Sequence, residues 1–131
     1  MERWLARYSG VAYALMRVVT GSLLACHGAQ KLFGAFGGQR VPLGSLMGLA
    51  GAIELFGGAL VAVGLFAGSA AFLCSGFMAF AYFMAHASKG FWPILNHGEL
   101  AVAYCFVFLY IATRGSGPGS IDALMAKRPV K

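Results

Sequence analysis

The chain has 131 residues, 60% of them hydrophobic and 11% charged, with a formal net charge of +6. This length allows one domain, and so oily a composition excludes a soluble globular core. The basic residues are scattered beside apolar segments, a membrane-surface pattern that argues against nucleic-acid binding.

Taken in order, Arg3 and Arg7 precede an apolar run reaching Leu23-Leu24-Ala25-Cys26, a loose likeness to a lipoprotein signal. Arg17 breaks that run, which also continues past Cys26, so the reading is a retained first helix over residues 9–33. A glycine-rich connection, Gly34 to Pro42, leads to a second span at 46–65. Gly64-Leu65-Phe66-Ala67-Gly68 punctuates a tight turn before a third span at 69–87. Val41 to His86 holds one formal charge, Glu54. As helix that stretch would reach about 69 Å, roughly two bilayer cores. Lys89-Gly90-Phe91-Trp92-Pro93 reads as an interfacial loop, with Trp92 at headgroup level, before a fourth span at 96–113. Gly115 to Gly119 stops that helix, and Ser120 would cap an amphipathic tail helix over 121–127. The expected fold is an all-α membrane protein: one domain, 1–131, a four-transmembrane-helix bundle with a short amphipathic C-terminal helix.

With four spans the chain ends share one side, which with the short second loop carries Arg3, Arg7, Arg114, Lys127, Arg128 and Lys131. The other side carries Lys31, Arg40 and Lys89. The positive-inside bias then puts both termini in the cytoplasm. Cys26, Cys74 and Cys105 have no CxxC spacing and read as small packing residues, not a disulfide framework.

Charges inside apolar segments cost a few kcal/mol and usually have a partner and a role. Glu54, Glu99 and Arg17 are such residues. At about 100° per residue, Arg17, Gly21, Leu24, Gly28 and Lys31 share an arc of the first helix. Gly51, Glu54 and Gly58 share a face of the second. Ser75, Ala79, Tyr82 and His86 align on the third, and Asn96, Glu99, Ala103 and Tyr110 on the fourth. An Arg17–Glu54 pair is expected from depth. His27, Lys31, His86, Asn96, His97 and Glu99 converge at one end as an outward-facing polar pocket, with Tyr82 and Trp92 beside it.

Plainer readings stand beside these. The Arg17–Glu54 pair could only fix helix register. Asn96 and Glu99 fit a capping box, Lys31 a snorkelling lysine, Trp92 an interface anchor, and His86 and His97 interface residues. Cys26, His27, Met84, His86 and His97 are ligands suited to copper or zinc, and His27 with His86 or His97 could ligate haem. None has the spacing of a strong metal motif, and no metal ligand is assigned. No nucleotide motif is present.

The chain resembles the DoxX family of small bacterial inner-membrane proteins. The likeness rests on Arg17-x3-Gly21-x5-His27-Gly28-x2-Lys31, Glu54-x2-Gly57-Gly58-x5-Gly64-Leu65, Gly98-Glu99, and Gly115-x-Gly-x-Gly-Ser120-Ile-Asp122. It covers nearly the whole chain. It implies a four-helix inner-membrane protein. Members are linked to thiosulfate:quinone oxidoreduction, or to oxidative and thiol stress in complexes with a superoxide dismutase and a sulfurtransferase.

The leading expectation is a redox-associated membrane subunit binding a quinone-like or small anionic ligand. His27, Lys31, His86 and His97 would donate hydrogen bonds, while Tyr82, Phe91 and Trp92 line an apolar slot. Glu99 or Glu54 would carry protons, making these the catalytic candidates, with Arg17 and Asn96 in the ligand-binding set. Quinone is the favoured cofactor, haem or copper the lesser ones. The alternative is a non-catalytic scaffold recruiting soluble redox enzymes, or a small-solute carrier. Enzymatic activity stays open at this point, as does homo-oligomerisation through small-residue faces such as Gly44-x3-Gly48.

Overall fold

The computed structural model describes residues 2–127. Arg128 and Lys131, used above for orientation, lie outside the described residues. A short helix α1, Glu2–Ala6, precedes α2, Ser9–Phe33. Gly34 ends α2 in the left-handed conformation (φ 70°) with its N–H on the Gln30 carbonyl, a conformation that costs glycine little. Ser45 caps α3, Leu46–Val63, its Oγ accepting from the Gly48 N–H at 3.1 Å. Gly64 (φ 72°) and Phe66 (φ 49°) reverse the chain into α4, Ala67–Lys89. Four-residue α5, Pro93–Asn96, leads to α6, Glu99–Arg114, and after a glycine-rich segment to α7, Ile121–Ala126, capped by Ser120. Among the described residues everything is helix or connection, with no strand.

Three helices, α2, α3 and α4, are long and apolar enough to cross a membrane. Helix α6 has 16 residues. It starts three residues after the 96–113 span because His97 (φ 60°) breaks the helix between Asn96 and Glu99. The exterior is apolar: Val11, Leu15, Phe72, Leu73 and Phe106 are exposed, while Arg17, Glu54 and Asn96 are buried. That inversion suits a bilayer, where water is absent from the outer face and polar groups find partners inside.

Helices α2 and α3 form one close hairpin and α4 and α6 another, joined where α3 meets α4. Glycines bring α2 and α3 together. A Cβ on Gly21 would lie 2.6 Å from the Ala62 nitrogen and 2.7 Å from the Gly58 oxygen, and one on Gly58 2.6 Å from the Ala25 nitrogen. This contact fixes the register between the two helices. Ala71, Cys74, Phe108 and Ile111 are fully buried between α4 and α6. Cys74 is a packing residue as expected, but Cys26 lies on the exposed face of α2.

The inward face of α6 is not the one its polar spacing suggests. Glu99, Ala103 and Tyr110 are exposed, and Tyr104, Phe108 and Ile111 turn inward. Bulk packing against α4 sets the rotation, because burying these three large side chains outweighs the preference of two polar ones.

Candidate functional site

Register decides which charges meet. Arg17 lies one turn toward the chain's start from Gly21, which abuts Ala62, so it stands beside the end of α3. Helical side chains lean toward their own N-terminus. Arg17 therefore leans away from Glu54, and the expected Arg17–Glu54 pair does not form. Its guanidinium is fully buried and donates to the carbonyls of Val61 (2.8 Å), Ala62 (2.7 Å) and Gly119 (2.9 Å). The first two belong to the last turn of α3, where carbonyls with spare acceptor capacity and the helix dipole attract a cation.

Lys31, near the end of α2, leans back into the bundle by the same rule. Its Nζ reaches Glu54 Oε1 at 2.6 Å and Oε2 at 2.7 Å. The side chains are 24% and 6% exposed. Lys31 thus turns its ammonium onto Glu54. Glu54 sits in a wide, π-type turn, Ile53–Gly57, and α4 has a second such turn at Tyr82–His86. Single wide turns of this kind occur often at functional sites, since they rotate side chains out of the regular helical frame.

The pair lies in a cavity of about 370 Å³ between the two hairpins. His27 and Leu24 continue its wall along α2, Met47 and Ala50 along α3, and Phe77, Met84 and His86 along α4; α6 adds Leu100 and Tyr104, and His97 comes from the break before it. Each helix contributes one stripe at helical spacing. His86 Nδ1 donates to the Asn96 carbonyl at 3.1 Å.

Other expected site residues stand elsewhere. Tyr82 and Trp92 line a second cavity of about 390 Å³, almost wholly apolar, with Phe91, Val102 and Phe106. Asn96 is buried, donating to the Gly90 carbonyl at 2.6 Å and to the Tyr82 hydroxyl at 3.2 Å, and accepting from the Gly98 N–H at 2.8 Å. It pins the loop after α4, and the capping box with Glu99 is not formed. Glu99 is exposed at the first position of α6, where the helix dipole favours a carboxylate, and lines neither cavity. Among the described residues, no three His, Cys, Asp or Glu side chains come together as a metal site.

The DoxX family model matches residues 12–87, more than half of the chain. A Haemophilus influenzae protein described as uncharacterized is 37% identical over 131 residues, spanning 95% of this chain and 98% of its own. The chain belongs to the DoxX family. With its three crossing-length apolar helices it is a multi-pass membrane protein. No solved structure matches it.

Two parts of this DoxX bundle were not foreseen from sequence. Met47, Met78 and Tyr104 line the main cavity; Met47 carries a signal in its seven-residue spacing to Glu54 on α3, but Met and Tyr look like ordinary core. The second is the tail. Tyr13 donates its hydroxyl to the Gly115 carbonyl, Arg114 stacks on the Tyr13 ring at 4.4 Å, and the Asp122 N–H meets the Gly64 carbonyl at 3.1 Å. Ser120 is buried against Gly64, where a Cβ would also sit 2.7 Å from Arg17 Nη1. The glycines and Ser120 of the tail motif thus form a strap folded onto the end of the bundle.

Proposed function

We propose that the chain crosses the bacterial cytoplasmic membrane four times, with both termini in the cytoplasm, and serves as a redox-associated subunit binding a quinone-like headgroup. The fourth crossing is α6, whose 16 residues would span about 24 Å at the helical rise. Orientation rests on Arg3, Arg7, Arg114 and Lys127 at the end carrying both termini, against Arg40 and Lys89 at the other; Lys31, held by Glu54, adds little to that balance.

The observation that carries the binding reading is an ion pair, Lys31–Glu54, set with three histidines in otherwise apolar walls. A quinone ring needs donors at its carbonyls and an apolar slot for its plane. Lys31 and the histidines supply donors, while Leu24, Met78 and Tyr104 supply the slot. Glu54, bridged to Lys31, would set a carboxylate beside the ring as the acid–base group of this scheme. Glu99, outside the cavity, has no part in this scheme.

The scaffold reading is favoured by one fact: Lys31 and Glu54 satisfy each other without a ligand. On that reading soluble redox enzymes dock on the membrane face and the pair serves the fold. A carrier is less well supported, since fully buried Val61, Cys74 and Phe108 fill the bundle core outside the cavity lining.

The deciding experiment is native mass spectrometry with lipid extraction on protein purified in mild detergent, comparing wild type with Lys31→Met/Glu54→Gln. A stoichiometric quinone lost in the double variant supports the subunit reading. A ligand-free wild type that still captures soluble redox enzymes supports the scaffold.

A further inference from the structure

The main cavity changes character along its length. Its inner part holds Lys31 and Glu54. Its mouth is made by Leu46 and Met47 of α3 and by Phe80 and Met84 of α4, all exposed on the apolar exterior. The gap has a structural origin. Helix α3 packs on α4 from its wide turn, Ile53–Gly57, through Val63, whereas its first turns, Leu46–Ala52, pack on α2. The outer half of α4 therefore parts from α3, and the opening between them faces sideways.

We infer that the ligand enters laterally from the bilayer, between α3 and α4, and is an amphiphile with a hydrogen-bonding ring and a hydrocarbon tail. The inference rests on the quinone-like reading above and narrows it. The ring lies against Lys31 and Glu54, and the tail leaves past Met47, Phe80 and Met84 into lipid. Unbranched Met47 and Met84 suit such a mouth, because their flexible thioethers repack around a passing chain. The polarity gradient fixes the orientation, since a tail directed inward would strip the Lys31–Glu54 pair of polar neighbours while burying nothing that lipid does not already cover.

The test uses the full chain in lipid nanodiscs and two probes, a decyl-tailed benzoquinone and the same ring without its tail. Binding is measured for wild type and for Met47→Trp/Met84→Trp, whose sites are exposed and leave the bundle interior untouched. Wild type is expected to hold the tailed probe at least about tenfold tighter than the bare ring. The Trp variant should lose about tenfold for the tailed probe, or about 1.4 kcal/mol, and hold the bare ring within about twofold. Equal affinity of the two probes in wild type, or unchanged tailed binding in the Trp variant, overturns lateral entry while leaving the quinone-like site standing. Absence of both probes from wild type overturns the site and the entry route together.

Discussion

Lys31 and Glu54 meet through both carboxylate oxygens, at 2.6 and 2.7 Å, across the glycine-lined contact of α2 with α3. Such a pair contributes little net stability over apolar residues of similar size, yet breaking one half is costly. Lys31→Met is therefore expected to destabilise the bundle by about 3–5 kcal/mol, by leaving a buried carboxylate alone. Adding Glu54→Gln should restore most of the loss. Unfolding in mixed micelles, followed by circular dichroism, gives both numbers.

Arg17 ties three carbonyls from two parts of the chain. Arg17→Leu strands those of Ala62 and Gly119, at about 1–3 kcal/mol for each acceptor left buried, while that of Val61 keeps the Gly64 N–H at 3.2 Å. Arg17→Lys should rescue only in part, because one ammonium cannot reproduce the planar fork. Hydrogen exchange reads the outcome: the Asp122 amide, which now bonds the Gly64 carbonyl, should exchange much faster in Arg17→Leu.

The glycines of α2 and α3 are not alike in consequence to Gly76. Gly21→Ala places a methyl 2.6 Å from the backbone of α3 and should cost about 1–3 kcal/mol through overpacking. At Gly76 a Cβ meets open space, and Gly76→Ala should gain up to about 1 kcal/mol from helix propensity. Both are read from the same unfolding curves.

Glu99 tests the assignment of the site. Exposed at the start of α6, it should tolerate Glu99→Gln with a loss of about 0.3–1 kcal/mol from the helix dipole and no change in probe binding. A loss of binding in that variant would move the site toward α6.

Much of the architecture was readable because its signals are redundant. The bounds of α2 follow from its apolar run and from Gly34, and those of α3 from Ser45 and Gly64. The grouping of His27, Lys31, His86 and His97 at one end follows from span order alone. Pairing was harder. Arg17 and Glu54 are opposite charges in adjacent helices, so depth alone invites them together. What separates them is the helix register set by Gly21 and Gly58, together with the lean of each side chain toward its helix start. The rotation of α6 was hidden for a related reason. A polar stripe from Asn96 to Tyr110 assumes one continuous helix, and His97 in the left-handed conformation interrupts it.

The strap also has a timing. Gly119 follows Arg17 by 102 positions. At about 5–20 residues per second, translation separates the two by roughly 5–20 s. During that interval α2 carries a guanidinium into the membrane that its final partner has not yet been made to meet. The third hydrogen bond of this guanidinium is thus supplied by a residue made after all the long helices. Completion of this fold waits on Gly119, and a chain cut short before it would have all its long helices and an unfinished interior.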